Sequence, residues 1–494
     1  MNTVRTPELA LLARECMTPD ATRDWRAAVV DCPVSLINRG FAFSRIRPRR
    51  GGGRSAQARW LPLVSLLVAS GVGATPVQGF PQPFDVGARY RHEIHVNAAA
   101  PPGGNGSAEA PFRTIAAALA KAGPGTRVLV AAGTYGAVGS VRNLQGTAAA
   151  PIALSGRGEV VIDAKGQGSA LHLAEPRYVV IEGIAIRNVV PHGMNIDDGG
   201  SYDSPASHVV LRNVSFERIG DGGNNDCLKL SGVNHFHVER SRFSGCNQGE
   251  AIDMVGCHHG VISGNTFADM PGSAVQTKGG SSDVLIHGNR FLRIGQRAIN
   301  FGGHTGTPYF RPLDSTHEAA RIRAIANVIE GTGSTPVVFS GCRDCVFANN
   351  TIVDPGDYVA RIVEENRARG PGEHGWFVNN LIVFERRRLR GFVDVRDGTR
   401  AATFTFGRNL WYARDEAGFR GPRYRGGLPP EHQPIVGRDP GLDPGSRPKL
   451  GSPAFGAGQN VPGGLPGDFD RRPYAEPPAI GAFSAPAAAG SGTP

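Results

Sequence analysis

Short apolar segments recur along the chain, each with the pattern apolar–x–apolar–x–x–Asn–x–apolar. Examples are VLIHGNRF at 284–291 and IRAIANVI at 322–329. The recurrent asparagines are Asn265, Asn289, Asn327, Asn350, Asn380 and Asn409, with spacings of 24, 38, 23, 30 and 29 residues. Because one coil of this length cannot bury its own apolar side, such coils stack and share one core. The pattern therefore predicts a β-solenoid.

The recurrent asparagine is interpreted as a turn residue and not as a catalyst. Asparagine tolerates the left-handed backbone region, and its side chain can bond to the asparagine one coil along. Two other β architectures fit less well, because a propeller blade needs about 40 residues and a sandwich would not repeat one motif.

Elements at both ends of the repeats complete the predicted architecture. Residues 110–122 place Ile115, Leu119 and Ala122 at helical spacing, and we expect a short helix that caps the open end of the solenoid. After about residue 415 the chain is rich in Pro and Gly. The predicted divisions are an N-terminal extension with signal peptide at 1–75, the capped β-helix at 92–415, a C-terminal extension packing on it at 416–484, and a disordered tail at 485–494.

An apolar run near the N-terminus predicts export. WLPLVSLLVASGVGA at 60–74 follows Arg54 and Arg59 and ends in small residues, which is the three-part pattern of a signal peptide. The run is short for a membrane span. We expect a signal peptide at about 54–74, no stable membrane span after its cleavage, and a secreted, periplasmic or cell-surface protein. An uncleaved anchor is the alternative.

The formal net charge of +10 is concentrated at the N-terminus, where residues 1–60 contain eleven arginines against five acidic residues. The remainder does not show the concentrated basic stripe of a nucleic-acid-binding protein. No nucleic-acid partner is therefore predicted, whereas an acidic glycan is compatible with this charge.

Five of the seven cysteines follow the apolar run, and an odd number gives no complete disulfide framework. Cys342 and Cys345 have CxxC spacing but lack the second pair that a zinc site needs. We expect small buried residues or one disulfide there.

Strand alternation predicts which side chains point outward from successive coils. One outward column is Asn195, Lys229, Asp253, Gln276 and Asn300, and the next is Asp197, Ser231, Val255, Lys278 and Gly302. Since neighbouring strands are about 4.8 Å apart, the charged members of both columns would share a patch about 15 Å long. Such a patch is suited to a polysaccharide.

Both ends of the repeat region resemble a known class of protein. Residues 96–135 are similar to the opening, and residues 443–483 to the closing segment, of bacterial secreted right-handed parallel β-helix proteins, which include family 9 pectate lyases. The resemblance implies an all-β fold, a single-stranded right-handed parallel β-helix or solenoid with the N-terminal helical cap and irregular C-terminal extension predicted above. Because this fold hosts lyases, hydrolases, epimerases and adhesins, it does not by itself give an activity.

The resemblance also implies a set of catalytic groups. In family 9 pectate lyases a DDG segment supplies Ca²⁺ ligands and a lysine in a K-L-G-G setting is the base. The matching residues here are Asp197 and Asp198 of IDDGG and Lys229 of LKLSG, and Asp226 is a further candidate Ca²⁺ ligand. The match is partial, because the ligand expected one coil earlier, in 170–178, is absent. These residue types suit uronate elimination, which needs a neutralised carboxylate and a base of lowered pKa.

Lys278, in QTKGGSSD, is the rival base. Some alginate lyases of this fold pair a lysine with an arginine on the following coil, where this chain has Gly302.

The segment 302–318 lengthens its coil by about fourteen residues. Long insertions on a solenoid normally flank the active face. Four residues in or near this segment are therefore predicted to bind substrate: Arg297, His304, Tyr309 and Arg311.

Three functions stay open. The first is a polysaccharide lyase, a carbon–oxygen lyase that cleaves an acidic, uronate-containing glycan by β-elimination, with Lys278, Lys229 and Asp253 as catalytic residues. The second is a non-catalytic glycan-binding or cell-surface β-helix. The third is a polygalacturonase-like hydrolase using Asp197, Asp198 and Asp253. We expect a monomer whose partner is an acidic polysaccharide.

Overall fold

The computed structural model describes residues 80–221, 223–247 and 249–486. These residues form an all-β, right-handed parallel β-solenoid of about 11 turns, which confirms the predicted fold class. The predicted signal peptide and most of the predicted tail lie outside the described residues. Within them, no helix is both long enough and apolar enough to cross a membrane.

Most strands belong to one large parallel sheet that wraps around the solenoid. Its 22 strands are His92–Val96, Thr126–Tyr135, Ile152–Asp163, Arg177–Glu182, Ala185–Val189, Ala206–Arg212, Ser215–Ile219, Val233–Glu239, Arg242–Cys246, Val261–Ser263, Thr266–Met270, Leu285–His287, Arg290–Ile294, Arg323–Ile325, Val328–Thr332, Val346–Ala348, Thr351–Val353, Trp376–Val378, Leu381–Phe384, Thr405–Gly407, Leu410–Ala413 and Ile435–Val436.

A second sheet carries the predicted charged columns. Its ten strands are Gly139–Arg142, Leu171–Ala174, Met194–Asp197, Leu228–Ser231, Ile252–Val255, Val275–Lys278, Arg297–Gly302, Thr335–Ser340, Ala360–Val363 and Val393–Val395. A third sheet has the short strands Ser281–Ser282, Ala319–Ala320 and Cys342–Arg343. The helical elements of the described residues are the α-helix Ile115–Leu119 and the 3₁₀-helices Thr307–Tyr309, Arg386–Arg388 and Ala401–Thr403.

The interior is filled by equivalent side chains of successive coils. Phe216, Phe243, Phe267 and Phe291 stack face to face, with ring centroids 4.8–4.9 Å apart. This separation equals the distance between neighbouring strands, so each coil continues the core of the coil before it.

The six recurrent asparagines form a buried ladder, as predicted. Asn327, for example, donates from Nδ2 to the Ile286 carbonyl at 2.9 Å and to Asn350 Oδ1 at 3.0 Å. Its own Oδ1 accepts from the backbone and side chain of Asn289. The predicted left-handed backbone was wrong for these asparagines, because the preceding residue adopts it, with φ of +60° at Gly288. The bend therefore precedes the residue whose side chain forms the ladder.

The two ends of the solenoid differ in how they pack. The helix Ile115–Leu119 buries Ile115, Ala118 and Leu119 in the main core, and its capping role stays a prediction. The C-terminal extension packs on the outside of the coils, where Ile480 lies with Leu381 in one apolar cluster.

The five cysteines of the repeat region form two disulfides and one buried thiol. Cys342 pairs with Cys345, which was one of the two predicted alternatives, and Cys227 pairs with Cys246, which was not foreseen. Cys257 is buried and free.

Candidate functional site

The ten-stranded sheet aligns the outward columns in the predicted register. Lys229 lies beside Asn195 on one neighbouring strand and beside Asp253 on the other, and Asp253 is followed by Gln276 and Asn300. The register was predictable because the apolar alternation fixes which side of each strand faces the core.

The second column is also in the predicted register. Ser231 lies between Asp197 and Val255, and Val255 lies beside Lys278. Lys278 is therefore one column across and one strand along from Asp253.

A charged patch forms where the two columns meet, and it consists of Asp226, Lys229, Glu250, Asp253 and Lys278. The Lys229 ammonium contacts Asp253 and lies 3.5 Å from Asp226 Oδ2. Lys278 Nζ lies 3.2 Å from Asp253 Oδ2. The Asp226 and Asp253 side chains have no exposed surface, whereas Lys229 and Lys278 are 16% and 14% exposed. Both lysines thus reach solvent above a buried carboxylate.

The carboxylates of the charged patch are crowded and incompletely hydrogen-bonded. One oxygen of each candidate ligand, Asp226, Glu250 and Asp253, lies within 4.8 Å of the others. Asp226 Oδ2 and Asp253 Oδ1 are buried and have no hydrogen-bond partner among the described residues. Because buried polar atoms are nearly always hydrogen-bonded, these two oxygens mark the patch as more than structural.

Glu250 is a member of the patch that sequence reasoning missed. It precedes Asp253 by three residues, as Asp226 precedes Lys229, so it occupies the position of Asp226 one coil of 24 residues later. Its backbone N–H donates to Asp226 Oδ1 at 3.0 Å. The signal that could have found it is this 24-residue spacing between two acidic residues.

The same position one coil earlier holds His192, whose Nδ1 accepts from the backbone N–H of Asp226 at 3.0 Å. Burial lowers the pKa of His192, against the opposing effect of Asp226. A neutral imidazole therefore adjoins the acidic end of the patch.

Electrostatics divide the labour within the patch. Burial, together with the negative charges of Asp253 and Asp226, raises the pKa of the Glu250 carboxyl to about 8. Burial also acts to lower the pKa of Lys229, but the carboxylates of Asp253 and Asp226 outweigh it and raise that pKa. At neutral pH Glu250 therefore holds a proton, and Lys229 is a fixed positive charge.

Two of the predicted Ca²⁺ ligands have other partners. Asp197 Oδ2 lies 2.7 Å from His172 Nε2 and accepts from Asn195 Nδ2 at 2.9 Å. Asp198 Oδ1 accepts from Arg311 Nη2 at 2.9 Å, and Arg311 Nε contacts the other oxygen. Asp226 is thus the one predicted ligand that lies in the acidic group of the patch.

The donor set of that group suits a hard divalent cation. Asp226, Glu250 and Asp253 offer carboxylate oxygens, which Ca²⁺ prefers. Two of these oxygens have no hydrogen-bond partner in the described part of the chain. By this test the residues fit the ion, with Glu250 and Asp253 in place of Asp197 and Asp198.

The insertion after the strand Arg297–Gly302 lies across the sheet. The Arg311 side chain passes over Gly256, where an added Cβ would be 2.5 Å from Arg311 Cβ. It continues to Asp198 and lies 4.3 Å from the ring centroid of Tyr202. Arg311 is therefore a clamp between distant coils.

The other predicted substrate-binding residues are more scattered. Arg297 Nη2 donates to Glu365 Oε1 at 2.7 Å. Tyr309 is 64% exposed, and His304 is also exposed. Gly303 brings the base of the insertion against Gln276 and Lys278, so His304 starts from the edge of the charged patch.

A buried glutamate fixes the insertion. Glu318 Oε2 accepts from the Gly279 N–H at 2.8 Å and from Thr305 Oγ1 at 2.9 Å, while Oε1 accepts from the Thr305 N–H at 2.7 Å. Asn366, from a later loop, donates to the Thr305 carbonyl at 3.0 Å. The rim beside Lys278 is thus held in place by hydrogen bonds from three segments.

Comparisons with known proteins concern mainly the fold. Residues 169–380 match the family described as right-handed beta helix region, and residues 102–177 match a family described as a protein of unknown function. No curated protein sequence matches.

Solved structures with a similar fold include enzymes of two chemical classes. Pectate lyase Pel9A is 17% identical, with 81% of this chain and 97% of that chain covered and a TM-score of 0.43. A GH136 lacto-N-biosidase from Eubacterium ramulus is 12% identical, with 70% and 68% covered and a TM-score of 0.45. A mannuronic acid specific family 6 polysaccharide lyase from human gut microbiota is 13% identical, with 70% and 91% covered and a TM-score of 0.43.

The coils, their parallel register and the match over residues 169–380 agree with the resemblance inferred from the two ends of the repeat region. The chain is a right-handed parallel β-helix protein.

Proposed function

We propose that this chain is an exported polysaccharide lyase that cleaves an acidic, uronate-containing glycan by β-elimination at the charged patch. The observation that carries the proposal is that Lys229 and Lys278, from strands on either side of Asp253, both contact its buried carboxylate. Export is supported by the signal-peptide pattern at 60–74.

Each lysine has a separate role in the proposed reaction. Lys229, held protonated by Asp253 and Asp226, neutralises the uronate carboxylate and so lowers the energy of the carbanion. Lys278, on the edge next to the insertion, takes the C5 proton. The C4–oxygen bond then breaks, a C4–C5 double bond forms, and the departing oxygen takes a proton for which Glu250 is the donor.

A divalent cation has a place in this proposal. Asp226, Glu250 and Asp253 would hold it, and when bound it supplies additional positive charge for the uronate carboxylate. Calcium binding is measured by titration calorimetry of the chelator-treated protein, and we expect Asp226→Asn to abolish the heat of binding. Equal binding by the Asp226→Asn protein would remove the cation from this site.

The activity is tested by incubating the full chain with pectate, alginate and glycosaminoglycans, with and without Ca²⁺. We expect ultraviolet absorbance of an unsaturated uronate to rise with at least one glycan. New reducing ends without that absorbance would show a hydrolase instead.

A non-catalytic glycan-binding protein is the second candidate. The observation that favours it is that every lysine of the charged patch is already paired with a carboxylate. Retention of the protein on an acidic glycan column, without absorbance or new reducing ends, would select this function.

A further inference from the structure

A second charged feature lies at the C-terminal end of the solenoid. Eleven arginines and four acidic residues lie between positions 386 and 425, so this stretch is far more basic than the chain average. Averaging the charge over the whole remainder of the sequence concealed it.

Part of this stretch lines an open cavity of about 780 Å³, here called the arginine cavity. Its wall includes the strand Val393–Val395, which is the last strand of the ten-stranded sheet. The arginines that line it are Arg386, Arg390, Arg420, Arg423 and Arg425.

Three of these guanidinium groups are available to a ligand. Arg420, Arg423 and Arg425 are exposed, and none forms an ion pair within the described residues, whereas Arg390 pairs with Asp357 at 3.0 Å. The Asp394 carboxylate in the same wall is occupied by Arg361 and Arg396, each at 2.9 Å. The cavity therefore has a local excess of positive charge.

The arginine cavity and the charged patch lie on one face. The outward column that contains Asp253 continues strand by strand through Gln276, Asn300, Val338 and Arg361 to Asp394. Five strand spacings of about 4.8 Å separate Asp253 from Asp394, which is on the order of 24 Å along the solenoid axis. An extended polymer bound at the patch would reach the cavity along this column.

We infer that the arginine cavity is a distal subsite that binds the carboxylate or sulfate groups of an acidic glycan whose other end lies at the charged patch. Guanidinium groups suit this ligand because they bind planar and tetrahedral oxyanions through paired hydrogen bonds. An acidic glycan is favoured over other polyanions because the cavity continues a polar column already leading from the patch. In naming the glycan, the inference rests on the proposed function.

The test compares oligouronates of two lengths by titration calorimetry, one too short to span 24 Å and one long enough to do so. The variant carries Arg420→Gln, Arg423→Gln and Arg425→Gln. Since each lost charged hydrogen bond weakens binding about tenfold, we expect the long oligomer to lose at least this factor and the short oligomer to bind as before. The matched control carries Arg89→Gln, Arg113→Gln and Arg157→Gln, three exposed arginines of the N-terminal coils, and should bind both oligomers normally.

Several outcomes would overturn the inference. These are an unchanged affinity for the long oligomer, an equal loss in the control variant, or tighter binding of single-stranded DNA that depends on the three arginines. Thermal unfolding checks that the variant folds, and Arg423→Gln alone repeats the test if it does not. Length-dependent binding that needs the arginines, in a protein without lyase activity, would keep the subsite and reject the proposed reaction; lyase activity without length dependence would do the reverse.

Discussion

The asparagine ladder and the charged patch are both columns of polar side chains that repeat once per coil, yet they are built on opposite terms. Each ladder amide from Asn265 to Asn409 has its oxygen and nitrogen hydrogen-bonded to the next coil or to backbone. In the patch, Asp226 and Asp253 keep buried oxygens without a hydrogen-bond partner among the described residues. A satisfied buried column stabilises the fold, whereas an unsatisfied one has a free-energy cost that stability alone does not explain.

The ladder also ends where its chemistry requires. Asn409 donates from its backbone to Glu431 Oε1 at 3.0 Å and from Nδ2 to the same oxygen at 2.7 Å. Glu431 thus provides the acceptor that a further asparagine would have provided. No comparable closure exists for the patch within the described residues.

The largest expected effect is on catalysis. Lys278→Met removes the proposed base but keeps much of the side-chain volume, and the initial rate of unsaturated uronate formation should fall on the order of a thousandfold. Lys165→Met, at an exposed position, is the control and should keep the wild-type rate. A Lys278→Met protein as active as the control would exclude Lys278 as the base.

The largest expected effect on stability comes from the middle of the ladder. Asn327→Ala leaves the Ile286 carbonyl and the Asn289 N–H without their buried partner, which we expect to reduce the free energy of unfolding by about 3 kcal/mol. Urea unfolding measures it. The exposed Asn460→Ala should change that free energy by less than about 0.5 kcal/mol, and a similar small change at Asn327 would contradict the structural role of the ladder.

The patch should show a pH dependence that the ladder lacks. The pKa of Glu250 rises from 4.5 to about 8 on folding, so between these values the folded state binds more protons than the unfolded state. The free energy of unfolding therefore falls as pH rises through this window, and the full contribution is present below it. Glu250→Gln removes this slope, because an amide does not ionise.

Urea unfolding at pH 5 and pH 8, with chelator present, compares wild type with Glu250→Gln. The variant should gain stability relative to wild type at the higher pH. Parallel pH profiles for the two proteins would mean that Glu250 ionises normally.

The smallest expected effect lies at the start of the ladder. Ser241 replaces the asparagine there, and its Oγ accepts from the Val214 N–H at 3.1 Å. Ser241→Ala should cost about 1 kcal/mol, and Ser241→Thr, which keeps the hydroxyl, serves as its control. Equal loss in both variants would indicate packing and not hydrogen bonding as the cause.

Local sequence determined the solenoid, the ladder and the outward columns. Their period and alternation are properties of consecutive residues, so Lys229, Asp253 and Lys278 could be placed on one face before any coordinates. The same period could have located Glu250, which lies 24 residues after Asp226.

Only the tertiary structure decided which groups those side chains contact. Asp198 pairs with Arg311, 113 residues later, because the insertion crosses several coils, and no repeat period encodes that path. Likewise, Asp394 and Arg425 line one cavity because the chain folds back over the last strand. Burial then shifted the pKa of Glu250 and Lys229, since desolvation and charge proximity depend on the assembled coils and not on local sequence.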